Sequence, residues 1–203
     1  FDKQLPIFPL ARAIVPGATL KLQLFEQRNL KLIRDCLSSG HGFGIVGLKS
    51  GAESQMDSSI ESEFYPAGCR VEITDWDQLQ NGLLGISVHA QERFLIRSAS
   101  QHEDGLWSAQ VEWLADEWID SPTADQNQPE LGSEYQGLID LYHSLAAHSA
   151  EAVDPIEDAA LLGWAIASLL PIGNSDFAEL LAENDPLSRL QLIAKKIDQL
   201  TMQ

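Results

Sequence analysis

The sequence contains few cysteines and no long apolar run. Only two of its 203 residues are cysteine, Cys36 and Cys69, which permits at most one disulfide. Cys36 falls in a helical pattern and Cys69 in a strand pattern, so we expect two buried thiols of a reducing compartment. The sequence has no stretch of about 18 apolar residues, and no basic segment followed by an apolar core. We therefore expect no membrane span, no secretory signal and a cytoplasmic location.

Basic residues are also scarce. The chain has 13 Lys and Arg against 30 Asp and Glu, a formal net charge of −17. The imbalance lies mainly in residues 116–203, where 3 basic residues face 16 acidic ones. Such a surface repels phosphate backbones and anionic lipid headgroups. We therefore expect neither nucleic acid nor a membrane surface to be a partner.

The motifs that carry common catalytic chemistry are missing. The sequence has no G-x-x-x-x-G-K-[ST] phosphate loop and no G-x-S-x-G nucleophile turn. His143 and His148 are five residues apart in a helical pattern, a poor spacing for one metal ion. Gly42-x-Gly44-x-x-Gly47 has the spacing of a dinucleotide fingerprint, but it lies within a predicted strand rather than between a strand and a helix. We expect no catalytic residue, no metal and no cofactor.

Residues 1–115 have the pattern of a small sheet with one early helix. Leu20, Leu22 and Leu24 alternate with polar residues, which predicts a half-buried strand. Asn81-Gly82 predicts a hairpin with positive φ at both corners. Pro6 and Pro9 lack a backbone N–H, so their strand is expected at a sheet edge or at a bulge. In the last strand the alternation predicts that Trp107 and Trp113 both pack in the core.

Residues 116–203 have a different composition. Residues 116–133 are acidic and contain two prolines, which predicts a linker. Residues 134–203 have helical periodicity throughout, with Trp164 on an apolar helix face. Asp185-Pro186 and Asn174-Ser-Asp176 are predicted to supply the N-caps of two of these helices. Together with the strands, this organisation predicts an α+β protein.

The order of these elements resembles a known family. The run Leu5-Pro-Ile-Phe-Pro-Leu10, Pro16-Gly17 and Leu22-Gln-Leu-Phe-Glu-Gln-Arg28 closely resembles the start of the Lon protease N-terminal substrate-binding domain. Arg93-Phe94 and the segment 180–190 match later parts of the same family. This resemblance implies a PUA-like β-barrel followed by a C-terminal helical bundle. It also implies a stand-alone, non-catalytic relative of an ATP-dependent protease, without the ATPase and peptidase modules.

Candidate site residues come from the family pattern and from unplaced aromatic residues. The resemblance implies a barrel rim formed by Phe25, Glu26, Arg28, Arg93 and Phe94, where a Glu–Arg pair is either structural or a polar anchor beside a peptide groove. Trp76, at a strand end, and Trp118, in the acidic linker, are two further candidates, because exposed tryptophans favour interfaces.

We interpret the chain as a non-catalytic module that recognises unfolded or exposed apolar polypeptide segments. Three alternatives stay open at this point. The chain could bind a small ligand in a barrel mouth, dock on a dedicated partner through its acidic helical half, or carry an enzymatic site without a recognisable motif. A protease or chaperone partner and weak homodimerisation are compatible with the leading interpretation.

Overall fold

The computed structural model describes residues 4–50, 63–117, 131–147 and 158–202 of the chain. It has an α+β fold in which six strands and one early helix precede the remaining helices. The strands are β1 (Gln4–Leu10), β2 (Thr19–Leu24), β3 (Phe43–Ser50), β4 (Glu63–Gln78), β5 (Leu84–Gln101) and β6 (Trp107–Leu114). The helices are α1 (Gln27–Ser39), α2 (Gln136–Ala146), α3 (Ala159–Leu169), α4 (Asn174–Ala182) and α5 (Pro186–Thr201), with a short 3-10 turn at Ser133–Tyr135.

The six strands form one mixed sheet in the order β2-β5-β4-β3-β1-β6. The β1–β3 pair is parallel, and the other pairs are antiparallel. Strand β5 is long enough to pair with β4 along its first part and with β6 along its last part. Strands β1, β3, β4 and β6 therefore each have two hydrogen-bonded neighbours, and β5 has three, whereas β2 pairs with β5 alone.

The prediction that the proline-containing strand lies at a sheet edge or at a bulge is wrong, and its register with both neighbours is regular. Strand β1 lies between β3 and β6, but the two neighbours pair with different parts of it. Strand β6 pairs with residues 4–7 and β3 with residues 7–10. Pro6 therefore lies outside the part paired with β3, and Pro9 lies outside the part paired with β6. An interior strand tolerates both missing donors because neither proline has a paired neighbour on both sides.

Close packing explains Gly44 of β3 and Gly42, which comes immediately before this strand. A Cβ on Gly44 would lie 2.7 Å from the Phe94 ring, and one on Gly42 would lie 2.1 Å from the backbone oxygen of Val71. Phe94 and Val71 have no exposed surface. These two glycines let a neighbouring strand and ring approach closely, and the motif lies inside the sheet rather than before a helix.

The chain divides into two compact units that differ from the predicted subdomain ranges. The first unit comprises Phe1–Leu114 together with Gly173–Ala182, and the second comprises Ala115–Ile172 together with Glu183–Gln203. Helix α4 therefore belongs with the strands, although it lies between two helices of the second unit in sequence. It contacts β3, β4 and β5.

Asn174, the first residue of α4, attaches this helix to the strands. Its Oδ1 accepts a hydrogen bond from Ala13 N at 2.9 Å. Its Nδ2 donates to Ala11 O at 2.9 Å and to Leu48 O at 3.0 Å. The prediction that Asn174 is an N-cap is therefore wrong, because its side chain bonds to segments that are distant in sequence.

The second unit packs around a buried arginine. Arg189 of α5 has no exposed surface, and its guanidinium stacks on the Trp164 ring of α3 at 3.8 Å. Its Nη1 donates to Asp116 Oδ1 and to Glu183 O, both at 2.9 Å. Asp185 caps α5 by accepting a hydrogen bond from Ser188 N at 2.9 Å, as the sequence predicts. The predicted cap at residues 154–155 lies outside the described residues.

Candidate functional site

A cleft of about 1500 Å³ opens in the first unit. Its walls come from the start of β1, from one side of α1, from the turn that joins β5 to β6, and from the end of β6. The apolar part of its lining consists of seven residues: Leu5, Pro6, Leu32, Leu106, Trp107, Trp113 and Leu114.

Two tryptophans of β6 give the cleft its aromatic surface. Trp107 is half-buried and packs edge-on against Phe64, with ring centroids 5.2 Å apart. Trp113 packs edge-on against the buried Phe94 at 6.2 Å, yet 47% of Trp113 remains exposed. The prediction that Trp113 is a core residue is therefore wrong. Its strand position faces the apolar side of the sheet, but no described residue covers the outer part of the ring.

Ion pairs cross the mouth of the cleft and follow its rim. Lys31 of α1 pairs with Asp104 of the β5–β6 turn. This hydrogen-bonded pair raises the pKa of Lys31 and lowers that of Asp104. Arg70 of β4 donates to Glu72 and to Glu92, both at 2.7 Å. Both Lys and Arg side chains of the lining are therefore already paired with carboxylates.

The predicted Glu26–Arg28 pair is present beside the cleft but does not line it. Arg28 Nε lies 2.6 Å from Glu26 Oε2. Arg28 Nη1 donates to Gly105 O at 3.3 Å, in the same turn that carries Asp104. The pair thus helps to hold the beginning of α1 against the β5–β6 turn, which forms one wall of the cleft.

Arg93 and Phe94, also predicted site residues, are buried beneath this region. Arg93 Nη1 donates to Leu181 O of α4 at 2.7 Å, and Phe94 has no exposed surface. In the β5–β6 pairing Arg93 lies opposite Leu114 and Phe94 lies opposite Trp113. These two residues are therefore buried cross-strand neighbours of two lining residues and do not line the cleft themselves.

The remaining predicted site residues lie elsewhere. Phe25 is 58% exposed and Trp76 is 61% exposed, and neither lines the cleft. Trp76 is at the end of β4, where the sequence predicted an exposed ring. Trp118 lies outside the described residues. The sequence does not reveal the cleft because its lining comes from α1, from four of the strands and from the β5–β6 turn, and because the alternation assigns Trp113 to the core.

The cleft offers apolar contact and hydrogen-bonding groups, among them His102 Nε2 and Ser108 Oγ, which lie 2.8 Å apart. Cys36 lines it, but burial, with a smaller contribution from Asp35, raises the pKa of its thiol to about 11. Within residues 4–50, 63–117, 131–147 and 158–202, no three His, Cys, Asp or Glu side chains are grouped to hold a metal ion. In the same ranges no helix combines the length and the apolar composition that crossing a membrane requires.

Comparison with known proteins identifies the family. The model of the ATP-dependent protease La (LON) substrate-binding domain matches residues 4–199. The chain belongs to this family. The Lon N-terminal domain protein from Xanthomonas campestris is 30% identical in sequence, and its structure superimposes with a TM-score of 0.72. The match covers 94% of this chain and 97% of that one.

More distant relatives share the fold or part of the sequence. The N-terminal domain of the Mycobacterium avium complex Lon protease has the same fold, with a TM-score of 0.62 at 16% identity, over 95% of this chain and 97% of that one. Lon protease from Elusimicrobium minutum is 24% identical over 89% of this chain, and protein cereblon from Danio rerio is 24% identical over 59%. The matched parts are 21% and 27% of these two relatives, so the chain spans less than a third of either.

Proposed function

We propose that this chain is a non-catalytic polypeptide-recognition module that binds extended apolar segments in the cleft of its first unit. Its family is a substrate-binding domain of an ATP-dependent protease, which supports polypeptide as the ligand. We further propose that the chain itself supplies neither ATPase nor peptidase activity and that it functions in the cytoplasm.

The observation that carries this proposal is the cleft with its partly exposed tryptophan. Pockets for drug-sized ligands have volumes of roughly 300–1,000 Å³, and this cleft has a volume of about 1500 Å³. Its size therefore favours a polymer segment over a compact metabolite. Trp113 adds a large apolar ring with solvent on one side, and tryptophan is enriched among residues that dominate binding energy.

We also propose that the sheet is a PUA-like barrel and that the second unit is a helical bundle. The closed set of pairings among β1, β3, β4, β5 and β6 supports the barrel. The contacts of α3 with α2 and α5 support the bundle. In this arrangement the cleft is lined by α1 and by strands of the barrel.

The test uses a labelled peptide with a Leu-Ile-Phe-Leu core and serine flanks, titrated with the full chain. We expect measurable binding at protein concentrations up to about 200 µM, which corresponds to a free energy of about −5 kcal/mol. The variant Trp113→Ala is expected to weaken binding by about tenfold or more, as is typical for a central aromatic contact. Trp113→Phe, which retains a ring, is expected to keep most of the affinity.

Trp76→Ala is the matched control, because it removes a tryptophan that is at least as exposed but does not line the cleft. We expect it to bind the peptide as the unmodified chain does. Loss of binding in Trp76→Ala with full binding in Trp113→Ala would move the site to the β4–β5 hairpin and contradict the proposal. Circular dichroism of each variant checks that the fold is retained.

A further inference from the structure

We propose that this cleft selects apolar segments that are flanked by lysine or arginine and discriminates against segments flanked by aspartate or glutamate. The inference rests on the proposed function and names the class of polypeptide that the same cleft prefers. It is based on the charged side chains of the lining, in which the Lys and Arg side chains are paired with carboxylates and two carboxylates have no strong partner.

The two Lys and Arg side chains of the lining cannot readily serve an acidic ligand. Lys31 is paired with Asp104, and Arg70 is shared between Glu72 and Glu92. A carboxylate of a ligand would have to displace one of these partners. It would therefore gain one charge-assisted hydrogen bond only by breaking another.

Two carboxylates of the lining have no strong partner. Glu103, in the β5–β6 turn, is exposed and has no ion pair within the part of the chain that the structure describes. Asp35, on α1, lies 3.5 Å from Arg34, and both of these side chains are largely exposed. Exposed ion pairs of this kind contribute little to stability. The helix wall and the turn wall of the cleft therefore each present one carboxylate.

Apolar side chains line the same cleft as these two carboxylates. A segment that rests its apolar side chains on Trp107 and Trp113 can direct a flanking lysine or arginine toward Asp35 or Glu103. Long basic side chains suit this arrangement because their methylene stems cover apolar surface while their charged ends stay in water. The net charge of −17 adds a longer-range attraction for cationic segments and a repulsion for anionic ones.

The experiment compares three peptides with the same Leu-Ile-Phe-Leu core and with lysine, serine or glutamate flanks, by fluorescence anisotropy at low and at high salt. We expect the lysine-flanked peptide to bind about fivefold tighter than the serine-flanked one at low salt, because each exposed ion pair adds only a small increment. The glutamate-flanked peptide should bind most weakly, and added salt should narrow the differences.

The outcomes separate this inference from the proposed function. Equal affinity for all three peptides would overturn the charge preference while leaving polypeptide recognition intact. Binding of none of them would overturn both. An order with the glutamate-flanked peptide tightest would show that the paired cations of the rim do exchange partners, and it would also overturn the inference.

Two double variants test whether the preference for lysine flanks comes from the carboxylates of the cleft. Asp35→Asn with Glu103→Gln removes the two unpartnered carboxylates and should reduce the lysine preference to less than about twofold. Asp75→Asn with Asp77→Asn removes the same charge from exposed positions of β4 that do not line the cleft, and it should leave the preference unchanged. An equal reduction in both double variants would attribute the preference to net charge rather than to the cleft.

Discussion

Replacing Asn174 with alanine should destabilise the first unit, because this one side chain joins α4 to two separate strands. Its amide makes hydrogen bonds with the backbone of Ala11, Ala13 and Leu48 at 2.9–3.0 Å, and a longer one to Leu10 O at 3.4 Å. The substitution removes all of them and leaves the backbone groups without a replacement in the fold.

The magnitude follows from the surroundings of these groups. Ala13, Leu10 and Leu48 are buried, so water has limited access to the backbone groups that lose a partner. A buried donor or acceptor that is left unsatisfied costs about 1–3 kcal/mol. Asn174 itself is half-buried, which allows some hydration. We therefore expect a loss of about 3 kcal/mol, equivalent to a decrease of roughly 6–12 °C in Tm for a chain of this size.

Gly47 provides an independent check of the same contact. A Cβ at Gly47 would lie 2.6 Å from Asn174 Cγ, so Gly47→Ala must displace the amide and is expected to cost about 1–3 kcal/mol. Because both substitutions disturb the same hydrogen bonds, the double variant should lose less stability than the sum of the single variants. We expect an interaction energy of about 1 kcal/mol or more in this double-mutant cycle.

Urea unfolding monitored by circular dichroism measures all four free energies. The control is Asn81→Ala, which removes one hydrogen bond to Leu83 N in an exposed turn and should cost less than about 1 kcal/mol. The reasoning fails if Asn174→Ala is no more destabilising than Asn81→Ala. It also fails if the Gly47 and Asn174 effects simply add.

Two further predictions concern buried groups. Arg189→Lys should lower the free energy of unfolding in urea by about 2 kcal/mol, because an ammonium cannot reproduce the stacked, planar guanidinium. The control is Lys195→Arg, a substitution at an exposed position of the same helix. Equal stability of the two variants would contradict the stacking argument. Burial raises the pKa of Cys36 to about 11 and of Cys69 to about 12, so neither thiol should react with a disulfide reagent at pH 8 until urea is added. The fold favours the neutral thiols, so their contribution to stability is complete below the ordinary pKa of 9.0 and is lost as pH rises through about 11 and about 12. Cys→Ala variants should therefore lose less stability than the unmodified chain as pH rises above 9.0.

Features governed by a few neighbouring residues could be predicted from the sequence. Gly40 ends α1 with a φ of 70° and donates its N–H to Cys36 O at 2.9 Å, as expected for a C-cap glycine. Asp185 and Pro186 begin α5 as predicted. The Asn81-Gly82 hairpin is also present, but only Gly82 has a positive φ, so the predicted turn geometry is wrong at Asn81.

Features that depend on distant parts of the chain could not be predicted in this way. The Asn174 side chain bonds to residues more than 120 positions away, whereas the capping rule considers only the next three. Pro6 and Pro9 lie in an interior strand because its two neighbours pair with different halves, which no local pattern encodes. The burial of Arg93 depends on Leu181 O of α4, a helix that the sequence assigned to the other part of the molecule.

The prediction for Trp113 is partly correct and partly wrong. The alternation along β6 correctly predicts that its side chain shares the side of the sheet occupied by Phe94, but alternation does not say how far the covering layer extends. A half-exposed tryptophan loses part of the stabilisation that full burial would give, so packing alone explains its presence poorly. In a cleft of about 1500 Å³ and in a family of substrate-binding domains, this uncovered ring is the surface that the proposed polypeptide ligand would cover. Trp113 is therefore the residue on which the proposed function depends most, and Trp113→Ala is the substitution that tests it most directly.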